Sequence, residues 1–198
     1  MTLHVALGGQ PPDLWALIRA LPMVLVKSVY MLIFVTLGEE VGWRGYALPA
    51  LQARYGALLS SAILRVIWAL WHLPVFFNPS VGSYSDLSFV LWLAYLVPFT
   101  ILITWVFNST GGSVLMAMIV HAVMNASDEM WKILSEYSVR PASAAEAAAE
   151  TGHVYLMLTV VFLVAAAAIV LVYGPLNLSR RPRQVLPPTS GEPRARVQ

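Results

Sequence analysis

Residues 87–107, LSFVLWLAYLVPFTILITWVF, contain no charged side chain in 21 consecutive positions. A run of about 20 apolar residues is the length at which an α-helix crosses the hydrocarbon core of a bilayer. Four further apolar runs lie on either side of it, at residues 14–37, 56–77, 113–130 and 153–173. Because a helix satisfies its backbone hydrogen bonds internally, these runs predict an all-α fold, a polytopic transmembrane helical bundle of about five spanning helices.

The overall composition indicates the same class of protein. Hydrophobic residues make up 59% of the 198 positions and charged residues 11%, and the mean hydropathy is +0.71, outside the usual range of soluble domains. We expect one membrane-embedded domain, residues 1–173, followed by a disordered basic cytoplasmic tail, residues 174–198. The chain contains no cysteine, which excludes disulfides, thiolate nucleophiles and zinc sites built on cysteine.

Basic residues near the carboxyl terminus predict the orientation in the membrane. Five of the twelve Lys and Arg residues lie in the last nineteen positions: Arg180, Arg181, Arg183, Arg194 and Arg196. Positively charged flanks stay in the cytoplasm, so the tail is expected there, and an odd number of spans places the amino terminus outside. The compact chain favours the bacterial inner membrane. The lipid bilayer is an expected partner and nucleic acid is not, while the oligomeric state stays open.

Two adjacent carboxylates end the first apolar run, in the string GEEVGWRG at residues 38–45. A charged side chain at bilayer depth costs roughly 2.5–3.5 kcal/mol, which favours a functional use. On a helix, Glu40 and Arg44 pair on one face, whereas Glu39 points about 100° away. A carboxylate held by a guanidinium stays ionised, while one in a dry pocket can act as a general base. Glu39 is the candidate base, unless both acids only mark a helix end at the interface.

The second run carries Arg65, Trp68 and His72 at spacings of three and four, so all three lie on one helical stripe. His72 can hold a water or a carbonyl with one ring nitrogen while a neighbour orients the other, and Trp68 can exclude water. Arg65 is expected to pair with an acid such as Glu40. A single intramembrane histidine also commonly serves only as a hydrogen bond between helices, and that alternative stays open.

The fourth run contains His121 and Asn125, four positions apart and therefore on one helical face. Such a pair can donate two hydrogen bonds to a single oxygen, as the stabilisation of an oxyanion in acyl transfer requires. The alternative is that both side chains only hold helices together, as His and Asn commonly do in membrane bundles.

The three motifs in this order resemble the CPBP intramembrane proteases, the CAAX-processing and bacteriocin-associated family that includes the Ras-converting endopeptidase of eukaryotes. The resemblance covers about residues 38–125 and rests on Glu-Glu-x-x-x-Arg, aromatic-x-x-x-His and His-x-x-x-Asn. It implies that Glu39 and His72 activate a water molecule that attacks a peptide carbonyl. It also implies that His121 and Asn125 stabilise the resulting oxyanion.

Two features depart from the family pattern. Trp68 stands where the family usually has Phe, and we expect fewer helices before the Glu-Glu motif than many members carry. The second departure leaves open a truncated chain, a minimal member or a dimer that completes its cavity.

The resemblance favours an intramembrane endopeptidase that hydrolyses peptide bonds of membrane-associated substrates, prenylated CAAX proteins among them, in a cavity reached from the cytoplasm. The first alternative is a non-catalytic membrane protein that binds peptides or confers bacteriocin self-immunity. A small transporter that uses Glu39 and His72 as a proton relay is less favoured, because no inverted repeat is visible.

A metal ion is the remaining open question of the sequence. Glu39, His72 and His121 could in principle bind zinc and leave one position for water. The His-Glu-x-x-His signature is absent, and Asn125 is a poor zinc ligand. We therefore favour catalysis without a cofactor and keep zinc as the alternative.

Overall fold

The computed structural model describes residues 14–77, 89–138 and 144–186. Within these ranges the chain is helical except for short connections and the segment after Tyr173, and they contain no strand. The predicted all-α class is confirmed.

Five helices, here numbered α1 to α5, make up the described part of the fold. They are α1 at residues 14–52, α2 at Ala57–His72, α3 at Phe89–Ser109, α4 at Val114–Ser138 and α5 at Ala144–Tyr173. Four stretches in the described ranges are long and apolar enough to cross a membrane: Leu21–Gln52, Ala57–Phe77, Phe89–Ser109 and Tyr155–Tyr173. Helix α4 begins with a shorter apolar stretch, Val114–Ser127. Each of the five predicted runs overlaps one of these stretches. The chain is an integral, multi-pass membrane protein.

Helix α1 extends beyond the predicted end of the first run, because the polar string at residues 38–45 continues the helix. The α-helical turn with both glutamates, Leu37–Gly42, lies between two π-helical segments, Met31–Thr36 and Trp43–Ala47. A π-helical turn holds an extra residue and is frequent at functional sites. Because each residue turns a helix by about 100°, the two segments set the direction in which Glu39 and Glu40 point.

Helix α3 lies at the centre of the bundle and packs against α2, α4 and α5, while α4 also packs along α1. The largest core cluster is built on the α3 side chains Trp92, Tyr95, Phe99 and Ile103, against residues from α2 and α4. Many large apolar side chains of α1 and α5 are exposed. In a membrane protein, such a surface faces lipid.

Residues 174–186 correct part of the predicted domain organisation, because they are not a disordered tail but lie against the ends of the helices. The backbone N–H groups of Ala57 and Leu58 donate to the carbonyl oxygens of Leu176 and Pro175, at 2.8 and 3.0 Å. The first N–H groups of a helix have no acceptor within the helix, and the carbonyl groups of this segment accept their hydrogen bonds. Leu178 is fully buried. The Pro-rich and Arg-rich composition of this segment does not reveal such contacts. The rest of the predicted tail, residues 187–198, lies outside the described ranges.

A buried network of amides joins this segment, which we call the C-terminal clasp, to α1 and α3. Gln52 and Asn108 donate to each other's side-chain oxygens at 3.2 and 2.8 Å. Gln52 also donates to the carbonyl of Gln184 at 2.8 Å, and Asn108 donates to the carbonyl of Asn177 at 2.9 Å. Arg183 Nε donates to the carbonyl of Gln52 at 2.8 Å. Both amides are fully buried, so their hydrogen bonds hold three parts of the chain in register.

Candidate active site

Glu40 is a fully buried carboxylate that joins α1 to α4. Its Oε1 accepts a hydrogen bond from Arg44 Nη1 at 2.8 Å, which is the pairing within one helix that the spacing indicates. The same oxygen lies 2.8 Å from Nδ1 of His121. Sequence spacing could not reveal this second contact, because the two residues are 81 positions apart.

Glu39 points to a different set of neighbours, as its position on the helix indicates. Its carboxylate faces Trp68, and His121 and Arg44 are also among its neighbours. The side chain is partly buried. Its Oε2 atom is buried and has no hydrogen-bond partner among the described residues. A buried polar atom of this kind calls for an explanation, and a catalytic role is one of the few available.

His72 lies at the end of α2 and is held by its own helix. Its Nδ1 is 3.0 Å from the carbonyl oxygen of Trp68. A carbonyl can only accept, so Nδ1 carries the hydrogen and a neutral His72 presents Nε2 as an acceptor. Rings of Trp68, Trp71 and Trp92 surround the imidazole, with centroids 5.4, 4.7 and 5.2 Å away. The backbone and three indoles therefore fix both the orientation and the tautomer of His72.

Trp68 is the buried centre of the site. The imidazoles of His72 and His121 meet its ring edge to face, with centroids 5.4 and 5.1 Å away. The guanidinium carbons of Arg65 and Arg44 lie 4.4 and 5.6 Å from its centroid. Such cation–π contacts contribute about 0.5–2 kcal/mol each. Trp68 thus separates the two histidines and supports both arginines.

We predicted that Arg65 pairs with an acid such as Glu40, whereas the contacts that the structure gives for its guanidinium are with aromatic rings. Its guanidinium lies between two indoles, 4.4 Å from the ring of Trp68 and 4.5 Å from that of Trp92. The partners of Glu40 in the structure are Arg44 and His121. A planar guanidinium stacks well on aromatic faces, a preference that helical spacing alone does not express.

Asn125 is partly buried and lies one helical turn after His121 on α4, as predicted. The structure therefore gathers Glu39, His72 and His121 around Trp68 and places Asn125 next to His121 along the same helix.

The described residues contain no group of three or more His, Asp or Glu side chains that could hold a metal ion together. The set Glu39, His72 and His121, the alternative for zinc, does not form such a group here. We derive no chemical step through a metal.

The comparisons with known proteins agree with the motifs. No solved structure matches the chain. The CAAX prenyl protease 2 of Methanococcus maripaludis is 31% identical over 149 residues, which are 73% of this chain and 49% of that protein. The chain thus spans about half the length of this curated relative. A profile of the family described as type II CAAX prenyl endopeptidase Rce1-like matches residues 21–127. That range contains all three motifs, so the resemblance drawn from them is confirmed, and the chain belongs to the Rce1-like family of type II CAAX prenyl endopeptidases.

Proposed function

We propose that the protein is an intramembrane endopeptidase that hydrolyses a peptide bond of a membrane-associated substrate with a water molecule activated by Glu39 and His72. The observation that carries this proposal is the buried Oε2 atom of Glu39, which has no hydrogen-bond partner among the described residues. It lies in a site whose two histidines both have Nδ1 engaged by protein oxygens.

The first step uses Glu39 as the general base. Its carboxylate takes a proton from water while the water oxygen forms a bond to the peptide carbonyl carbon. His72 presents Nε2 as an acceptor, because its Nδ1 donates to the carbonyl of Trp68. It can therefore hold the second hydrogen of the same water. When the carbon–nitrogen bond breaks, Glu39 returns the proton to the leaving nitrogen, which balances the reaction.

The second part of the mechanism is the stabilisation of the oxyanion. His121 and Asn125 project from adjacent turns of α4, where the backbone amides are engaged in the helix and cannot donate. Side-chain donors must then provide the hydrogen bonds to the oxygen, each worth about 10²–10³ in rate.

We take the proposed substrate class from the relative. The relative in Methanococcus maripaludis is named a CAAX prenyl protease, and a CAAX sequence carries its prenyl group on the cysteine. Trp71, which packs against His72, is exposed on the surface of α2. A lipid-anchored peptide can thus approach the site from the bilayer. We place the protein in the bacterial inner membrane, which fractionation of native cells would test.

Cleavage in proteoliposomes tests the proposal. Purified protein is incubated with a farnesylated CAAX peptide and with its unmodified form, and the products are identified by mass spectrometry. We expect cleavage of the farnesylated peptide by the wild type and by Val66→Ala, an exposed position on α2, but not by His72→Ala.

Two further outcomes have defined meanings. Peptide binding without any product from folded wild type would favour the non-catalytic binding or immunity role. Activity that survives exhaustive chelation supports catalysis without a metal, whereas a loss that zinc alone restores would overturn it.

A further inference from the structure

We propose that Glu40 is a positioning residue that fixes the tautomer of His121, with hydrogen on Nδ1, and thereby decides what His121 can offer to the substrate. This inference rests on the proposed function, in which His121 assists the peptide carbonyl. It concerns a residue that does not itself touch the reacting atoms.

The tautomer follows from the hydrogen bonds of one oxygen. Oε1 of Glu40 accepts from Arg44 Nη1 at 2.8 Å, and it lies 2.8 Å from His121 Nδ1. An oxygen that accepts from a guanidinium at this distance is ionised, and an ionised carboxylate has no hydrogen to give. Nδ1 of His121 must therefore carry the hydrogen. A neutral imidazole has a single N–H group, so Nε2 is left with its lone pair.

This assignment restricts the chemistry of His121. With the hydrogen on Nδ1, a neutral His121 cannot donate from Nε2 to an oxyanion. It becomes a donor there only when the ring carries both hydrogens and a positive charge. Glu40 is then the counter-charge of that doubly protonated ring, with its Oε1 2.8 Å from Nδ1. His121 thus acts as an acceptor while it is neutral and as a donor from Nε2 only while it is charged.

The surroundings hold this arrangement in place. Glu40 and Arg44 are fully buried, and His121 is 3% exposed. The His121 ring meets Trp68 at an interplanar angle of 84°. The other charged side chains near the pair are Glu39 on the same helix and Arg65 across Trp68. A carboxylate that orients a catalytic histidine has the same relation to the ring in serine proteases.

A purely structural role for Glu40 makes different predictions, which separates the two ideas. Removal of a structural ion pair lowers stability but leaves the tautomer of His121 unaffected. Removal of a positioning carboxylate moves the hydrogen between the two ring nitrogens. The tautomer can be read by ¹⁵N NMR of histidine-labelled protein in detergent, with the His121 signals assigned by their loss in His121→Ala.

Three proteins are compared: wild type, Glu40→Gln and the double variant Glu40→Met/Arg44→Met. The amide of Glu40→Gln can still accept through its oxygen from both partners, so we expect the hydrogen to stay on Nδ1. The double variant removes the acceptor together with its buried counter-charge, which protects the fold. We expect its hydrogen to move to Nε2. A neutral wild-type His121 with the hydrogen on Nε2, or an unchanged tautomer in the double variant, overturns the inference.

Kinetics provide the second measurement. Glu40→Gln keeps the hydrogen bonds but removes the counter-charge of the doubly protonated ring, so kcat should fall by about 10²-fold with little change in KM. An unchanged kcat would contradict the inference. Because the NMR result does not require activity, a wild type that fails to cleave would reject the proposed function and still leave the tautomer measured.

Discussion

Glu39 and Glu40 are neighbours in the sequence, but their surroundings assign them different chemistry. Glu40 is enclosed by Arg44 and His121 and has a structural and orienting position. Glu39 faces Trp68 and retains a buried oxygen without a hydrogen-bond partner among the described residues. Successive side chains of a helix point about 100° apart, so one carboxylate can be held by the protein while the next stays available for a reaction.

Trp68 gives a prediction about packing at the site. Its ring touches both histidines and both arginines, so Trp68→Ala should lower the free energy of unfolding by about 3–5 kcal/mol and abolish cleavage. Trp68→Phe keeps an aromatic ring and should retain activity within about tenfold. Thermal unfolding in detergent and peptide cleavage measure the two effects. Equal damage in both variants would show that the indole, not aromatic packing, is required.

At the scale of secondary structure, the π-helical segment Trp43–Ala47 sets the register between the glutamates and the anchored end of α1. Gln52 is fixed by the clasp network, so a residue added between the two points rotates one against the other.

Insertion of one alanine after Tyr46, which is exposed in that segment, tests this register. Because the π-helical turn already holds its extra residue, a further one turns Glu39 and Glu40 by about 100° relative to Gln52. We expect the helix content measured by circular dichroism to be retained and cleavage to be lost. Tyr46→Ala, the matched control, should cleave normally. An insertion variant that cleaves at the wild-type rate would show that the register of this segment is irrelevant.

The clasp gives a prediction about stability. Asn108→Ala removes the hydrogen-bond partner of the Gln52 side chain and of the Asn177 carbonyl oxygen. Each buried polar group left without a partner costs about 1–3 kcal/mol. We expect a lower unfolding midpoint and faster tryptic cleavage after Arg180 and Arg183, since neither residue is followed by proline. The control is Thr110→Ala, at an exposed position two residues further along. Equal midpoints in the two variants would indicate that the clasp does not stabilise the bundle.

Relations within one helix could be predicted from the sequence, whereas relations between elements could not. The pair Glu40 and Arg44 and the shared face of His121 and Asn125 follow from a spacing of four. The contact between Glu40 and His121 depends on how α1 packs against α4, and no local pattern encodes it. The clasp was predicted to be disordered because its composition is rich in Pro and Arg, while its order comes from the N–H groups and amides that it meets.

For the whole molecule, the clasp defines one end of the bundle. It contacts the start of α2 and the end of α3. His72 lies fifteen positions after Ala57, so it is roughly 22 Å along α2 from that end. If the charge of the tail places the clasp in the cytoplasm, His72 lies nearer the opposite face. The predicted access from the cytoplasm then requires a deep cavity.

Single-cysteine labelling tests this orientation, and the natural absence of cysteine makes the result unambiguous. Thr110→Cys and Arg180→Cys lie at the clasp end, and Phe77→Cys lies at the other end of α2. We expect a membrane-impermeant maleimide to reach only Phe77→Cys from outside intact cells and the other two after lysis. The reverse pattern would place the clasp outside, and labelling of Thr110→Cys and Arg180→Cys from different sides would contradict the fold.

The most direct test of the central claim is the cleavage of a membrane-anchored peptide by Glu39→Gln in nanodiscs, beside wild type and Tyr46→Phe. The substitution conserves shape and removes the base. The account predicts product from wild type and Tyr46→Phe, a rate at least about 10²-fold lower from Glu39→Gln, and equal thermal stability of all three. Full activity of a folded Glu39→Gln protein would contradict the account, because the reaction would then proceed without its proposed base.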